Sequence, residues 1–166
     1  MNIVLLGAPG SGKGTQAELL SKAHHLFLLS TGELSRKLAE KDPRIEEIVD
    51  SGKLIPPEEM TMYVLDFLYK KKPELRGILF EGFPRFISQY DALSKFLKNK
   101  GDDIDIVISL DISKKEAIKR ISARRICEKC GEVYNLVTNP PKKGVCDRCG
   151  GKLLTREDDN PESVKT

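Results

Sequence analysis

Short, unbroken apolar runs recur along this chain, separated by longer segments that read as helices. Ile3-Val4-Leu5-Leu6 is the first run and stops at Gly7. Leu26-Phe27-Leu28-Leu29 is the second, Ile78-Leu79-Phe80-Glu81 the third, and Ile104 to Leu110 the fourth. Runs of this length without polar alternation suit strands buried on both faces. Helices are expected over Thr15 to Lys22, Leu34 to Glu40, Ile45 to Asp50, Pro57 to Lys71, Ser88 to Asn99 and Lys114 to Ser122. Ser30 with Glu33 three residues later is a capping-box signature for the second of these. Pro57 suits a first helical turn, and the lysines at 70–72 suit a helix C-terminus. Strands alternating with helices predict an α/β fold in which a parallel sheet is covered by helices on both faces.

Composition narrows this picture without redirecting it. A chain of 166 residues, 39% hydrophobic, is one ordinary domain with room for a small insert. A formal net charge of +3, with acids and bases nearly balanced, argues little for nucleic acid. No run resembles a signal peptide or a membrane span, so a cytoplasmic location is expected. All four cysteines fall between Cys127 and Cys149. In a reducing compartment such clustering points to metal in preference to disulfides.

Two motifs carry chemistry of their own. Gly7-Ala8-Pro9-Gly10-Ser11-Gly12-Lys13-Gly14-Thr15 follows a strand and opens a helix, the context a phosphate-binding loop requires. Its glycines permit positive φ and let successive N–H groups surround a polyphosphate; Lys13 adds a point charge. The residue after Lys13 is Gly14, and the hydroxyl comes one later, at Thr15. The second motif is Cys127-x-x-Cys130-Gly131 followed by Cys146-x-x-Cys149-Gly150. Its spacing suits a tetrahedral structural zinc site with four thiolates, and the glycine after each knuckle relieves the turn.

The Gly-Lys-Gly-Thr version of the loop is that of nucleoside monophosphate kinases, and the chain resembles the adenylate kinase family of the bacterial type with a zinc-stapled lid. The resemblance rests on motifs in order. They are Gly7–Gln16, Ser30-Thr31-Gly32 with Arg36 in register, Gly82-Phe83-Pro84-Arg85 with Gln89, Arg120 with Arg124 and Arg125, and Thr155–Asp159. It implies that Gly10, Ser11, Gly12, Lys13, Gly14, Thr15, Arg120, Arg124, Val133 and Tyr134 hold ATP. It further implies that Thr31, Arg36, Lys53, Leu54, Ile55, Gly82, Phe83, Pro84, Arg85, Gln89 and Arg156 form the AMP pocket. Arginine forks match phosphate, and the Gln89 amide has the donor and acceptor that an adenine edge needs. Lys13, Arg85, Arg124 and Arg156 are the implied catalytic groups, acting with Mg²⁺, while Cys127, Cys130, Cys146 and Cys149 hold Zn²⁺. Glu33 and Glu81 stand where the family more often has aspartate to steer magnesium through its waters.

The implied organisation is a P-loop core at 1–29 and 56–122, an AMP-binding insert at 30–55, a zinc-ribbon-like lid at 123–159, and a return to the core at 160–166. The family continues beyond that point, so a chain ending at Thr166 is expected to lack the closing C-terminal segment and to turn over poorly. The implied reaction converts ATP and AMP into two ADP, in a monomer without nucleic-acid or membrane partners. Two other readings compete: a kinase for UMP or CMP, and a P-loop zinc-ribbon protein that binds nucleic acid. His24 and His25 carry no catalytic expectation.

Overall fold

The four apolar runs become four parallel strands in the computed structural model, which describes residues 1–71, 74–156 and 159. They are β1 (Ile3–Gly7), β2 (Phe27–Ser30), β3 (Ile78–Glu81) and β4 (Ile106–Leu110), in the spatial order β2-β3-β1-β4. Lys72, the Glu157-Asp158 pair of the Thr155–Asp159 motif and the return segment 160–166 lie outside the described residues. Successive side chains on a strand point to opposite faces, and the core divides accordingly. Val4, Leu29, Ile78 and Phe80 enter one cluster, while Ile3, Leu5 and Leu79 enter another.

Six helices surround this sheet: α1 (Lys13–His24), α2 (Thr31–Ala39), α3 (Pro43–Asp50), α4 (Pro57–Lys71), α5 (Ile87–Lys98) and α6 (Lys114–Ser122). The larger cluster brings in Ile45 of α3, Val64 and Leu68 of α4, and Leu93 and Leu97 of α5. The smaller one is closed by Ala17 and Leu20 of α1, with Ile108 and Leu110 of β4 at its margin. Leu19 of α1 faces outward instead. β4 forms one edge of the sheet, and Ile106 and Val107 there are 42% and 55% exposed. Beyond α6 a second, antiparallel sheet is made of β5 (Arg124–Cys127), β6 (Val133–Asn135) and β7 (Leu153–Leu154), in the order β6-β5-β7.

Boundaries moved where side chains compete with the backbone. α1 starts at Lys13, two residues earlier than expected, because left-handed Gly12 already turns the chain into the helix. β4 starts at Ile106, two residues later than the run beginning at Ile104. The Asp103 carboxylate accepts the Ile104 N–H at 2.9 Å, while the Asp105 N–H goes to the Asn2 carbonyl at 2.9 Å. The cap at Ser30 forms as expected, its Oγ accepting the Glu33 N–H at 3.4 Å. His24 and His25 are exposed, and His25 ends α1 at φ 54°. The three short strands of this second sheet were not anticipated: β5 pairs with β6 across the first cysteine knuckle and with β7 across the long segment that holds the second.

Asn2, fully buried, fastens the start of β1 to two loops. Its Nδ2 donates to the carbonyls of Leu75 (2.8 Å) and Asp103 (2.9 Å), and its Oδ1 accepts the Ile78 N–H at 3.1 Å. Truncation orphans several buried backbone groups at once. Asn2→Ala is expected to cost about 2–4 kcal/mol, since each buried unsatisfied group costs roughly 1–3. Urea unfolding checks this, and a loss under about 0.5 kcal/mol would show that water replaces the side chain.

Candidate active site and metal centre

Parallel strands in register end together. β1 ends on Gly7, β2 on Ser30 and β3 on Glu81, with Ser30 paired to Glu81 and Leu5 to Glu81. The loops that follow therefore gather at the carboxyl edge of the sheet, where open α/β folds place their ligands. In the first loop Gly10 and Gly12 take φ 78° and 93°. Gly10 also sits against α6, where a Cβ would lie 2.9 Å from the Ala117 carbonyl. Gly14 and Thr15 are exposed in the first turn of α1. Ser11 Oγ is buried with no hydrogen-bond partner among the described residues.

Lys13 Nζ donates to the carbonyls of Gly7 (2.6 Å) and Ala8 (2.9 Å), folding back over its own loop. Burial holds its pKa below the ordinary lysine value; Arg85 and Arg124 push the same way, and Glu81 opposes them. Lys13 thus has Arg85, Arg124 and the Glu81 carboxylate within electrostatic reach around the space between the loop, the end of β3 and the start of β5.

On the other side of that space, Ser30 Oγ donates to Glu81 Oε2 at 2.7 Å, and Thr31 Oγ1 donates to the Glu81 carbonyl at 3.3 Å. Gly82 follows at φ 77°, where a Cβ would lie 2.8 Å from Thr31 Oγ1 and 3.2 Å from Arg85 Nη2. Arg85 Nε donates to the Gly82 carbonyl at 2.7 Å. Its pKa is lowered by desolvation, with Glu81 opposing. Gln89 is 3% exposed; its Oε1 accepts the Arg85 N–H at 2.8 Å and its Nε2 donates to the Pro57 carbonyl at 3.2 Å. Phe83 and Pro84 are buried, joined by a cis peptide. The Arg36 guanidinium lies beside Gly32, the nearest approach to a Cβ there being 3.5 Å. Ile55 is in the core, whereas Lys53 and Leu54 are exposed.

The lid hangs on α6. Asn135 Nδ2 donates to the Arg120 carbonyl at 2.8 Å, and the Leu136 N–H to the Ala123 carbonyl at 2.9 Å. The Arg120 side chain is paired with Glu116, Nε to Oε1 at 2.7 Å. Arg124 forks onto Asp159, with Nε to Oδ2 at 2.8 Å, and the carboxylate is only 1% exposed. The Asp159 N–H bonds the carbonyl of Arg156, which is itself half-buried.

The four cysteines are free, and their sulfurs all lie within 4.8 Å of one another. The closest pairs are Cys127–Cys149 and Cys130–Cys149 at 3.4 Å, and Cys130–Cys146 at 3.5 Å. A tetrahedral zinc with Zn–S bonds of about 2.3 Å spaces its sulfurs by roughly 3.8 Å, so the donor set fits that ion. Gly131 and Gly150 take φ 73° and 70° at the ends of the two knuckles. Tyr134 packs with Cys127, Cys146 and Leu153 in the small lid core. Burial raises the Cys146 pKa, but the Tyr134 hydroxyl and the Cys149 and Arg148 amides outweigh it and bring the thiol to about 6.

A family model described as adenylate kinase matches residues 5–166. The chain belongs to the adenylate kinase family. The adenylate kinase of Caldicellulosiruptor bescii is 43% identical over 99% of this chain and 79% of its own length. Those of Staphylococcus epidermidis and Staphylococcus aureus are 42% and 41% identical, over 99% of this chain and 78% of theirs. Among the described residues no helix is long and apolar enough to cross a membrane.

Set in an adenylate kinase frame, the structure gathers Thr31, Gly82, Arg85 and Gln89 closely and brings Arg85 and Arg124 within electrostatic reach of Lys13. It commits Arg120 to Glu116 and turns the Tyr134 side chain toward the cysteines. Three contributors escaped the sequence reading: the Ser30–Glu81 bond, Asp159 as partner of Arg124, and Gly151, where a Cβ would lie 2.7 Å from Cys127 Sγ. The glycine doublet after the second knuckle was the available signal for Gly151. Gly82→Ala is expected to destabilise the protein by about 1–3 kcal/mol, the usual cost of a non-glycine residue held at positive φ. Chemical denaturation measures it, and a loss under about 0.5 kcal/mol would mean that Thr31 moves aside freely.

Proposed function

We propose that the chain transfers a phosphoryl group between ATP and AMP, giving two ADP, in the cytoplasm and as a monomer. The observation that carries this reading is the convergence of Lys13, Glu81, Arg85 and Arg124 between the phosphate loop and the Gly82–Arg85 turn. Phosphoryl transfer requires little covalent chemistry; it requires in-line positioning and neutralisation of the moving charge. The loop from Gly10 to Thr15 would hold the ATP phosphates, with the unpartnered Ser11 hydroxyl and the N-terminus of α1 facing them. Arg120, Arg124 and the β6 pair Val133-Tyr134 would bound the ATP side. Arg36, Arg85 and Arg156 would meet the AMP phosphate, with Thr31, Lys53–Ile55, Gly82–Pro84 and Gln89 lining its pocket. Each end of the Gln89 amide keeps one hydrogen-bonding position beyond those used by the backbone, enough to meet an adenine edge. The AMP oxygen is already anionic, so no general base is needed.

Bound with ATP, Mg²⁺ would supply charge neutralisation near Glu81 and Glu33. Zn²⁺ on the four cysteines would supply the stability that a lid core of a few side chains lacks. In this reading residues 1–29 and 56–122 are the core, 30–55 the acceptor insert and 123–159 the lid. Closing the lid brings Arg124 and Arg156 inward and excludes water.

A coupled assay of the natural protein with ATP and AMP, CMP or UMP tests the reading. ADP formation with AMP is expected; turnover with CMP or UMP alone would transfer the assignment to another monophosphate kinase. Arg85→Ala is expected to lower kcat/KM for AMP by about 10²–10³-fold, the scale of losing one donor to a developing charge. Metal analysis should give one zinc per chain, and a chelator should lower the melting temperature; a chain without zinc would refute the lid assignment alone.

A further inference from the structure

The second cysteine knuckle is weakly tied to the lid sheet. Cys127 ends β5 and the first knuckle runs on into β6, but Cys146 to Cys149 sit on a long loop that regains the sheet only at the two-residue strand β7. Two side chains bridge the gap: Arg148, whose Nη1 donates to Glu132 Oε2 at 3.3 Å on the exposed surface, and Tyr134. Tyr134, in the middle of β6, is 6% exposed, and its hydroxyl lies 3.6 Å from Cys146 Sγ. The same hydroxyl accepts the Asp147 N–H at 2.8 Å. Val133 and Tyr134 are adjacent on a strand and so point to opposite faces; Val133 is 43% exposed and Tyr134 buried.

We propose that Tyr134 is a positioning residue of the metal centre, its hydroxyl donating a hydrogen bond to the Cys146 thiolate while accepting one from the amide of the next residue. This rests on the zinc reading of the four cysteines. The assignment of the proton follows from valence. A phenol has one O–H and can accept through its oxygen lone pairs. The Asp147 N–H can only donate, so the oxygen accepts there and its own proton is left for sulfur. A metal-bound cysteine is a thiolate and can only accept. One hydroxyl thereby fixes two successive residues of the second knuckle to β6. Asp147 extends the tie, its Oδ1 accepting the Lys142 N–H at 3.0 Å. Groups that orient metal ligands in this way set affinity as strongly as some ligands do. The Tyr134 hydroxyl is then committed to the lid interior.

Tyr134→Phe in the full chain removes the hydroxyl and keeps the ring that packs the lid. Zinc affinity, measured by competition with a chromophoric chelator, should fall by about tenfold to a hundredfold. In the cobalt-substituted protein the thiolate-to-cobalt band should move to lower energy, because a sulfur losing a hydrogen bond becomes a better electron donor. The Asp147 amide should exchange faster. Retained intensity of the tetrahedral cobalt bands shows that the variant lid is folded. Unchanged zinc affinity with an unchanged cobalt band overturns the proposal. Failure of the unmodified chain to take up zinc or cobalt would remove the metal reading itself, a different failure from equal uptake by both proteins.

Discussion

The parallel register of β1, β2 and β3 is the constraint on which the site depends. Because Ser30 pairs with Glu81 and Leu5 with Glu81, β2 and β3 end level at one edge of the sheet and β1 runs two residues further, to Gly7. The glycine loop, the cap of α2 and the Gly82–Arg85 turn all begin there. That register is held by burial on both faces, with alternate side chains of each strand in separate clusters. A slip by one residue would exchange the two sets and expose or crowd every one of them. The Ser30–Glu81 hydrogen bond is a product of the register, and it joins the cap of α2 to the end of β3, just before the turn that carries Arg85.

On this rigid edge the protein assembles like charges. Arg85 and Arg124 lie within electrostatic reach of Lys13, where Glu81 opposes them. Such an arrangement costs stability in the absence of an anion and favours a polyphosphate when one arrives. The chain moderates the cost locally. Lys13 donates to two loop carbonyls, Arg85 to the Gly82 carbonyl, and Arg124 to a nearly buried Asp159. Each of these is a bond that a phosphate oxygen can replace. The lid that carries Arg124 has a core of a few side chains around the four clustered cysteines, with Tyr134 reaching from β6 to Cys146 and the Asp147 amide.

Much of this was legible in the chain. The strands were marked by apolar runs, α4 and α6 by their bounds, the phosphate loop by glycines before a lysine, and the metal set by cysteine spacing. These are local properties: strand burial, positive φ and knuckle geometry are satisfied within a few residues, so the pattern carries them. Family membership followed from the order of motifs and was borne out by relatives matched along nearly the whole chain.

What the chain alone did not reveal involves partners far apart in sequence. Glu81 meeting Ser30, Asp159 meeting Arg124, Gly151 making room for Cys127 and the small lid strands all depend on segments brought together by folding. Tyr134 is the clearest case. Family register placed it beside ATP, and the sequence offered no reason to turn its hydroxyl elsewhere. In the folded lid the alternation of β6 sends that side chain inward, onto Cys146 and the Asp147 amide. Composition and spacing determined which chemical groups this protein possesses. Tertiary structure decided which of them share a space, because hydrogen bonds and charges act over a few ångströms and only the fold sets those distances.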